Sequence, residues 1–221
     1  MAKTLKIALD GPSGSGKSTI AKKLSKELDI LYLDTGAMYR ATALKALKLN
    51  VDTFDEKGVS GFINDLNLEI KYENGSQQTY LDGENVSDKI REPQVSMAAS
   101  NISSLKCVRL KMVEMQRKIA SLTSCVLDGR DIGSYVLPDA DYKFYITASV
   151  DVRAQRRFKE LTEKGFKVDF EKLKQEIEQR DYNDSHRDFA PLVQAKDAIF
   201  IDTSDMDIDG VINTVMSHIK K

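Results

Sequence analysis

Lys6-Ile7-Ala8-Leu9-Asp10 runs straight into Gly11-Pro12-Ser13-Gly14-Ser15-Gly16-Lys17-Ser18-Thr19. The second stretch has the pattern G-x-x-x-x-G-K-S of a phosphate-binding loop, which demands a strand before it and a helix after it. Both are legible. Lys6 to Asp10 is a short apolar strand, and Ile20, Ala21, Leu24 and Leu28 recur at helical spacing, so a helix begins near Gly16. Glycines at 11, 14 and 16 let the backbone take positive φ and turn its N–H groups inward. Together with the helix N-terminus, those donors make an anion site for the β- and γ-phosphates of a nucleoside triphosphate. Lys17 adds a mobile positive charge, and Ser18 a hydroxyl ligand for Mg²⁺. A glycine-rich turn that merely precedes a helix would need neither the lysine nor the strand.

The 221 residues suffice for one α/β core with an insertion. A hydrophobic fraction of 41% and a charged fraction of 30% are ordinary for a soluble globular protein. A formal net charge of -1 argues against a general polyanion-binding surface, so no nucleic-acid polymer is expected as a partner. Cys107 and Cys125 are too few for a disulfide framework or a metal site, and read as small buried thiols in a reducing compartment. The sequence shows no signal-peptide pattern and no apolar run of membrane-spanning length. The expectation is a cytoplasmic protein without a membrane partner.

Further along, Leu31-Tyr32-Leu33 is a second apolar run, ending at Asp34-Thr35-Gly36; Met38, Ala41, Leu44 and Leu47 then mark a helix bearing Arg40. In doubly wound sheets ligands sit beyond the carboxyl ends of strands, which places Asp34, Thr35 and Arg40 near the phosphates; the alternative for Arg40 is a solvated helix arginine. Alternation at Leu68, Ile70 and Tyr72, a tight turn at Asn74-Gly75, and Tyr80-Leu81 before Asp82-Gly83 predict an antiparallel insertion, roughly 60–90. Helical patterns follow at 95–102 and 108–122, carrying Ser100 and Arg109, to which spacing alone gives no function. Cys125-Val126-Leu127 closes on Asp128-Gly129-Arg130-Asp131, and an acid at the end of a buried strand suits a Mg²⁺ ligand. Strands at 142–146 and 198–201 complete a predicted parallel sheet of about five strands with helices on both faces. Between those last strands, Arg153, Arg156 and Arg157 lead to a turn at Gly165, and a second helix ends in Arg180-Asp181-Tyr182-Asn183-Asp184-Ser185-His186-Arg187. These charges are either a solvated face with i,i+4 pairs or a mobile lid over a triphosphate, for which arginine's planar fork is suited. His186, with no nucleophile nearby, reads as a bystander.

The phosphate loop, Asp34-Thr35-Gly36-Ala37-Met38-Tyr39-Arg40, Asp128-Gly129-Arg130-Asp131-Ile132-Gly133 and Arg180-Asp181…Asp184…Arg187 occur in the order seen in bacterial cytidylate kinases. The chain resembles that family over nearly its whole length. The resemblance implies a P-loop NTPase-type fold in a single domain of residues 1–221, with core 1–60 and 91–221, a nucleotide-binding insertion at about 60–90 and a lid at about 153–187. It implies transfer of the γ-phosphoryl group of Mg·ATP to CMP or dCMP by a monomer. Carried over residue by residue, Thr35, Arg40 and Arg130 would hold the acceptor phosphate, while Ser100, Arg109 and Asp131 would read cytosine. Arg180 and Asp184 would hold the ribose with Arg187 in the same pocket, and whether Asp131 or Asp184 accepts the cytosine amino group stays open. Lys17, Arg130 and the lid residues Arg157 and Arg153 would act on the transferring phosphates; Ser18 and Asp128 would hold Mg²⁺. Some members carry Ser where this chain has Thr35, and Gly where it has Ser18; the first exchange keeps the hydroxyl and the second adds a possible magnesium ligand.

Cytosine offers an N4 amino donor beside acceptors at N3 and O2, which an Asp or Ser acceptor with an Arg donor matches. Uracil reverses the first two, leaving buried polar groups unpaired. Rival readings are a kinase for another small acceptor, a GTP-dependent switch and a transporter ATPase subunit. The switch would need an Asn-Lys-x-Asp motif and the transporter subunit Leu-Ser-Gly-Gly, and the chain has neither.

Overall fold

The computed structural model describes residues 4–73 and 75–219, so Asn74 of the expected tight turn lies outside the described residues. In chain order the elements are β1 (Lys6–Asp10), α1 (Lys17–Leu28), β2 (Leu31–Asp34), α2 (Thr35–Lys48), α3 (Glu56–Ile63), β3 (Leu68–Glu73), β4 (Ser76–Leu81) and β5 (Glu84–Asn85). Then come α4 (Pro93–Ile102), α5 (Lys106–Leu122), β6 (Cys125–Gly129), β7 (Tyr142–Thr147), α6 (Val150–Glu163), α7 (Phe170–His186), β8 (Ile199–Asp202) and α8 (Ile208–His218). The chain divides into two compact units, Met1–Tyr32 with Thr123–Lys221, and Leu33–Leu122.

The five-stranded sheet has the order β2-β6-β1-β7-β8. β1 is parallel to both β6 and β7, with Asp10 opposite Gly129 on one side and Tyr145 on the other. Ile7, Ala8 and Leu9 are fully buried, as a strand covered on both faces requires. Ile20, Ala21 and Leu24 of α1 and Val211, Ile212 and Val215 of α8 pack with Ile7, Leu9, Phe144 and Ile146 in one core. At about 25 cal/mol per Å² of apolar surface, this burial is the main term holding the unit together. Because β1, β6 and β7 run in register, their carboxyl ends open on one edge, from which the phosphate loop and the Gly129–Asp131 turn emerge. A smaller cluster of Ala154, Leu161, Leu173 and Ile177, with Phe158 edge-on to Phe170, holds α6 to α7.

In the Leu33–Leu122 unit, α2 presents a buried face of Ala37, Met38, Ala41, Thr42, Ala43 and Ala46, small enough for α4 to pack closely. Leu47, grouped with the helical stripe in the sequence, is 40% exposed. α4 starts with Pro93, whose missing N–H costs nothing at a first helical position. The three-stranded antiparallel sheet β3-β4-β5 pairs Leu68 with Leu81 and Glu73 with Ser76. It belongs to a compact unit wider than the 60–90 stretch, since α2, α4 and α5 pack in the same body. Among the described residues, no helix is long and apolar enough to cross a membrane.

Candidate active site

The loop after β1 is built on glycine. Gly11, Gly14 and Gly16 all have positive φ, at 143°, 78° and 92°, and a Cβ on Gly11 would lie 1.9 Å from the Ile146 carbonyl oxygen. Lys17 is 5% exposed; its Nζ donates to Pro12 O at 2.6 Å and to Ser15 Oγ at 3.1 Å. Burial and the nearby Arg130 charge push the ammonium well below its ordinary range, while Asp128, Asp10 and Asp184 pull the other way. Polyphosphate at the loop would favour the charged form.

Ser18 Oγ donates to Asp128 Oδ2 at 2.6 Å, and Tyr32 OH donates to Asp128 Oδ1 at 3.1 Å. The two oxygen ligands expected for Mg²⁺ are thus adjacent. Among the described residues no group of three or more His, Cys, Asp or Glu could hold a metal, but Mg²⁺ uses one or two protein oxygens with substrate phosphates. Asp10, beside the loop, accepts from the backbone N–H groups of Ile132 and Gly133, both at 2.7 Å. Burial pushes its carboxyl up to about 6 in spite of those two donors. Neither Tyr32 nor Asp10 was legible as a site residue, because each acts on a residue more than ninety positions away.

In the same unit the arginines and acids after β6 and along α7 interlock. Arg130 Nε donates to Asp184 Oδ2 at 2.8 Å. Arg187 lies 3.6 Å from Asp131 and 3.8 Å from Asp184, and its Nε donates to Ala190 O at 2.7 Å. Burial raises the Asp184 carboxyl, but Arg130, Arg180 and Arg187 outweigh it and hold the group below its usual value. Arg130, Asp131, Arg180, Asp184 and Arg187 are therefore one charge cluster. Arg157 is half-buried, with NH1 on Glu160 at 2.7 Å, beside the α6–α7 turn where Gly165 takes φ 82°. Arg153 is placed differently from a mobile lid arginine: it is buried, with all three guanidinium nitrogens engaged by Ala148 O, Ser13 O and Asp181. Arg156 donates to both Thr203 Oγ1 and Thr203 O, a pairing across 47 positions that no local pattern encodes. His186 stacks on Tyr182 one turn earlier.

In the Leu33–Leu122 unit, Asp34 caps α2 by accepting from Ala37 N at 2.9 Å, and its other oxygen takes a hydrogen bond from Arg40 NH2 at 2.9 Å. Burial raises the Asp34 carboxyl, yet Arg40, the Ala37 N–H and Arg91 together hold it below its usual value. Thr35 is buried at the first position of the helix. The Gln77 side chain of β4 accepts from Asp34 N at 2.8 Å and donates to Asp34 O at 3.3 Å, fixing the strand end from the hairpin. Arg109 is 1% exposed, with NH1 on Ser103 O at 3.3 Å and its guanidinium 5.5 Å from the Tyr39 ring centroid. Ser103 Oγ in turn donates to Ser100 O at 2.8 Å, so Ser100 and Arg109 flank one helix–helix turn.

A family model described as cytidylate kinase matches residues 7–221. The chain is 47% identical to a cytidylate kinase of Caldicellulosiruptor bescii, covering 97% of this chain and 95% of that one. It is 49% identical to a cytidylate kinase of Clostridioides difficile, covering 97% and 98%. A solved structure from Eubacterium ventriosum, an uncharacterised protein 15% identical, aligns over 98% of each chain with a TM-score of 0.53, a likeness of fold alone.

Proposed function

This chain belongs to the cytidylate kinase family, and from that premise we infer that it transfers the γ-phosphoryl group of ATP to CMP and dCMP, giving ADP with CDP or dCDP. The observation that carries the donor side is the glycine-built loop with Lys17 inside it and Ser18 held on Asp128. A terminal phosphate oxygen of the acceptor attacks the γ-phosphorus in line, and the bond to the β–γ bridging oxygen breaks with its electrons leaving on ADP. The attacking acceptor oxygen is already anionic at neutral pH, so no general base is needed. What the protein must supply is alignment, charge and exclusion of water.

Lys17 and the loop N–H groups are assigned to the donor phosphates. Thr35, Arg40 and Arg130 are assigned to the acceptor phosphate, Ser100, Arg109 and Asp131 to cytosine, and Arg180, Asp184 and Arg187 to the ribose. Arg157 is assigned to the transferring phosphate when the α6–α7 segment closes. Bound with ATP, Mg²⁺ would neutralise β- and γ-oxygens, and the hard oxygens of Ser18 and Asp128 fit it. The proposed working form is a cytoplasmic monomer.

The test is ADP production with Mg·ATP and a panel of CMP, dCMP, UMP, dTMP, AMP and GMP. Turnover confined to CMP and dCMP is expected; an equal response to all six would overturn the acceptor assignment. Arg109→Met, which keeps most of the buried volume, should lower kcat/KM for CMP by about a hundredfold through an unpaired base edge. Calorimetric affinity for ATP should stay unchanged, and equal losses in both quantities would remove Arg109 from base reading.

A further inference from the structure

We propose that Arg153 is a positioning residue that sets a peptide plane of the phosphate loop and ties that loop to α7. Its guanidinium spans three segments: Nε donates to Ala148 O at 2.9 Å, NH1 to Ser13 O at 3.2 Å, and NH2 pairs with Asp181 Oδ2 at 2.6 Å. The loop rests directly on this residue, for a Cβ at Gly14 would stand 3.2 Å from Arg153 Cβ. In a planar trans peptide the C=O and the following N–H point in opposite directions. Drawing the Ser13 carbonyl toward α6 therefore turns the Gly14 N–H away from it. Thr203 contributes two peptides along: its single hydroxyl proton is shared between Thr147 O at 3.0 Å and Ser15 O at 3.3 Å, and Arg156 holds Thr203 through Oγ1 at 3.1 Å and O at 2.8 Å. Arg153 thus fixes one peptide plane of the loop directly, and Arg156, one turn on along α6, supports a second through Thr203. Such a loop binds anions through its N–H groups, so fixed planes are what make it preorganised.

The second half of the proposal is the link outward. Asp181 lies one turn before Asp184 on α7, and Asp184 holds Arg130 Nε at 2.8 Å. Ser13, Arg153, Asp181, Asp184 and Arg130 form one continuous path inside a single compact unit. Lysine is no substitute: it keeps the charge but has no planar fork to span three acceptors.

The proposal rests on the donor half of the reading above, that this loop binds ATP. Full-length Arg153→Lys, Asp181→Asn and the double variant are titrated calorimetrically with Mg·ATP, melted, and assayed with CMP. Each single change should weaken ATP binding about tenfold, and the double no more than either, because the two side chains act as one unit. The KM for ATP should rise while kcat at saturating nucleotides falls far less, with melting close to wild type. Asp181→Asn, isosteric and at the partly exposed end of the pair, carries the test if Arg153→Lys fails to fold. Unchanged ATP affinity, or losses that multiply to about a hundredfold in the double variant, would overturn the proposal. Wild-type protein that binds ATP but phosphorylates no nucleoside monophosphate would instead refute the acceptor reading, and the titration would still decide on Arg153.

Discussion

Lys17→Ala is expected to lower kcat by about a thousandfold, the scale of losing a preorganised charge at the reacting phosphates. Its effect on stability should have the opposite sign. Lys17 Nζ sits among Pro12 O, Ser15 Oγ and the cationic Arg130, and burial depresses its proton affinity. A lysine whose folded value lies below its unfolded one opposes folding at neutral pH, where the unfolded chain holds the proton more tightly. Removing it relieves that cost. The melting temperature should be unchanged or higher while turnover collapses, the trade expected where a site is built against stability. Steady-state rates and a thermal melt on one preparation decide the matter. Near-normal rates would end the phosphate-loop assignment, and a large drop in melting temperature would contradict the electrostatic account.

The second large effect is structural. Gly11→Ala places a methyl group 1.9 Å from the Ile146 carbonyl oxygen, where no real Cβ is found, at a φ of 143° that L-residues rarely adopt. Ile146 lies in β7, which pairs with β1 up to Asp10 opposite Tyr145, so relieving the clash disturbs the end of two central strands. The expected cost is more than about 4 kcal/mol, a large share of the 5–15 kcal/mol of a typical domain. Gly165→Ala is the control. Gly165 also has positive φ, at 82°, but nothing lies within 4 Å of its added Cβ. It should lose only the backbone term of about 1–2 kcal/mol. Denaturant unfolding of the two variants separates the terms, and equal losses would show that the clash at Gly11 is absorbed.

Much of this was legible beforehand because it is local. The strand–loop–helix signature from Lys6 to Leu28, the buried run ending at Asp128 and the alternation at Leu68, Ile70 and Tyr72 each report on a few consecutive residues. The later strands were placed to within a residue or so at 142–147 and 199–202. What escaped depends on partners distant in sequence. Arg153 reads as one of several lid arginines; its burial is set by a carbonyl 140 positions earlier and an acid on another helix. Arg109 is named by the family resemblance, but its ordinary helical stripe does not show that it is buried against Tyr39 and Ser103. Helix α3, eight residues long with buried Val59 and Ile63, carries too short a stripe to be read with assurance. The extent of the Leu33–Leu122 unit likewise follows from α2 packing on α4, a contact no local pattern encodes.

Gln77 gives the hairpin a meaning that its exposed, polar sequence conceals. One side-chain amide reads both backbone groups of Asp34, the residue that caps α2 and pairs with Arg40. An engineer trimming the β3–β4 hairpin as surface ornament would strip the Asp34–Arg40 pair of its foundation. Transplanting the α2 segment into another scaffold would have to carry the hairpin with it, because the two are one module held at a single amide.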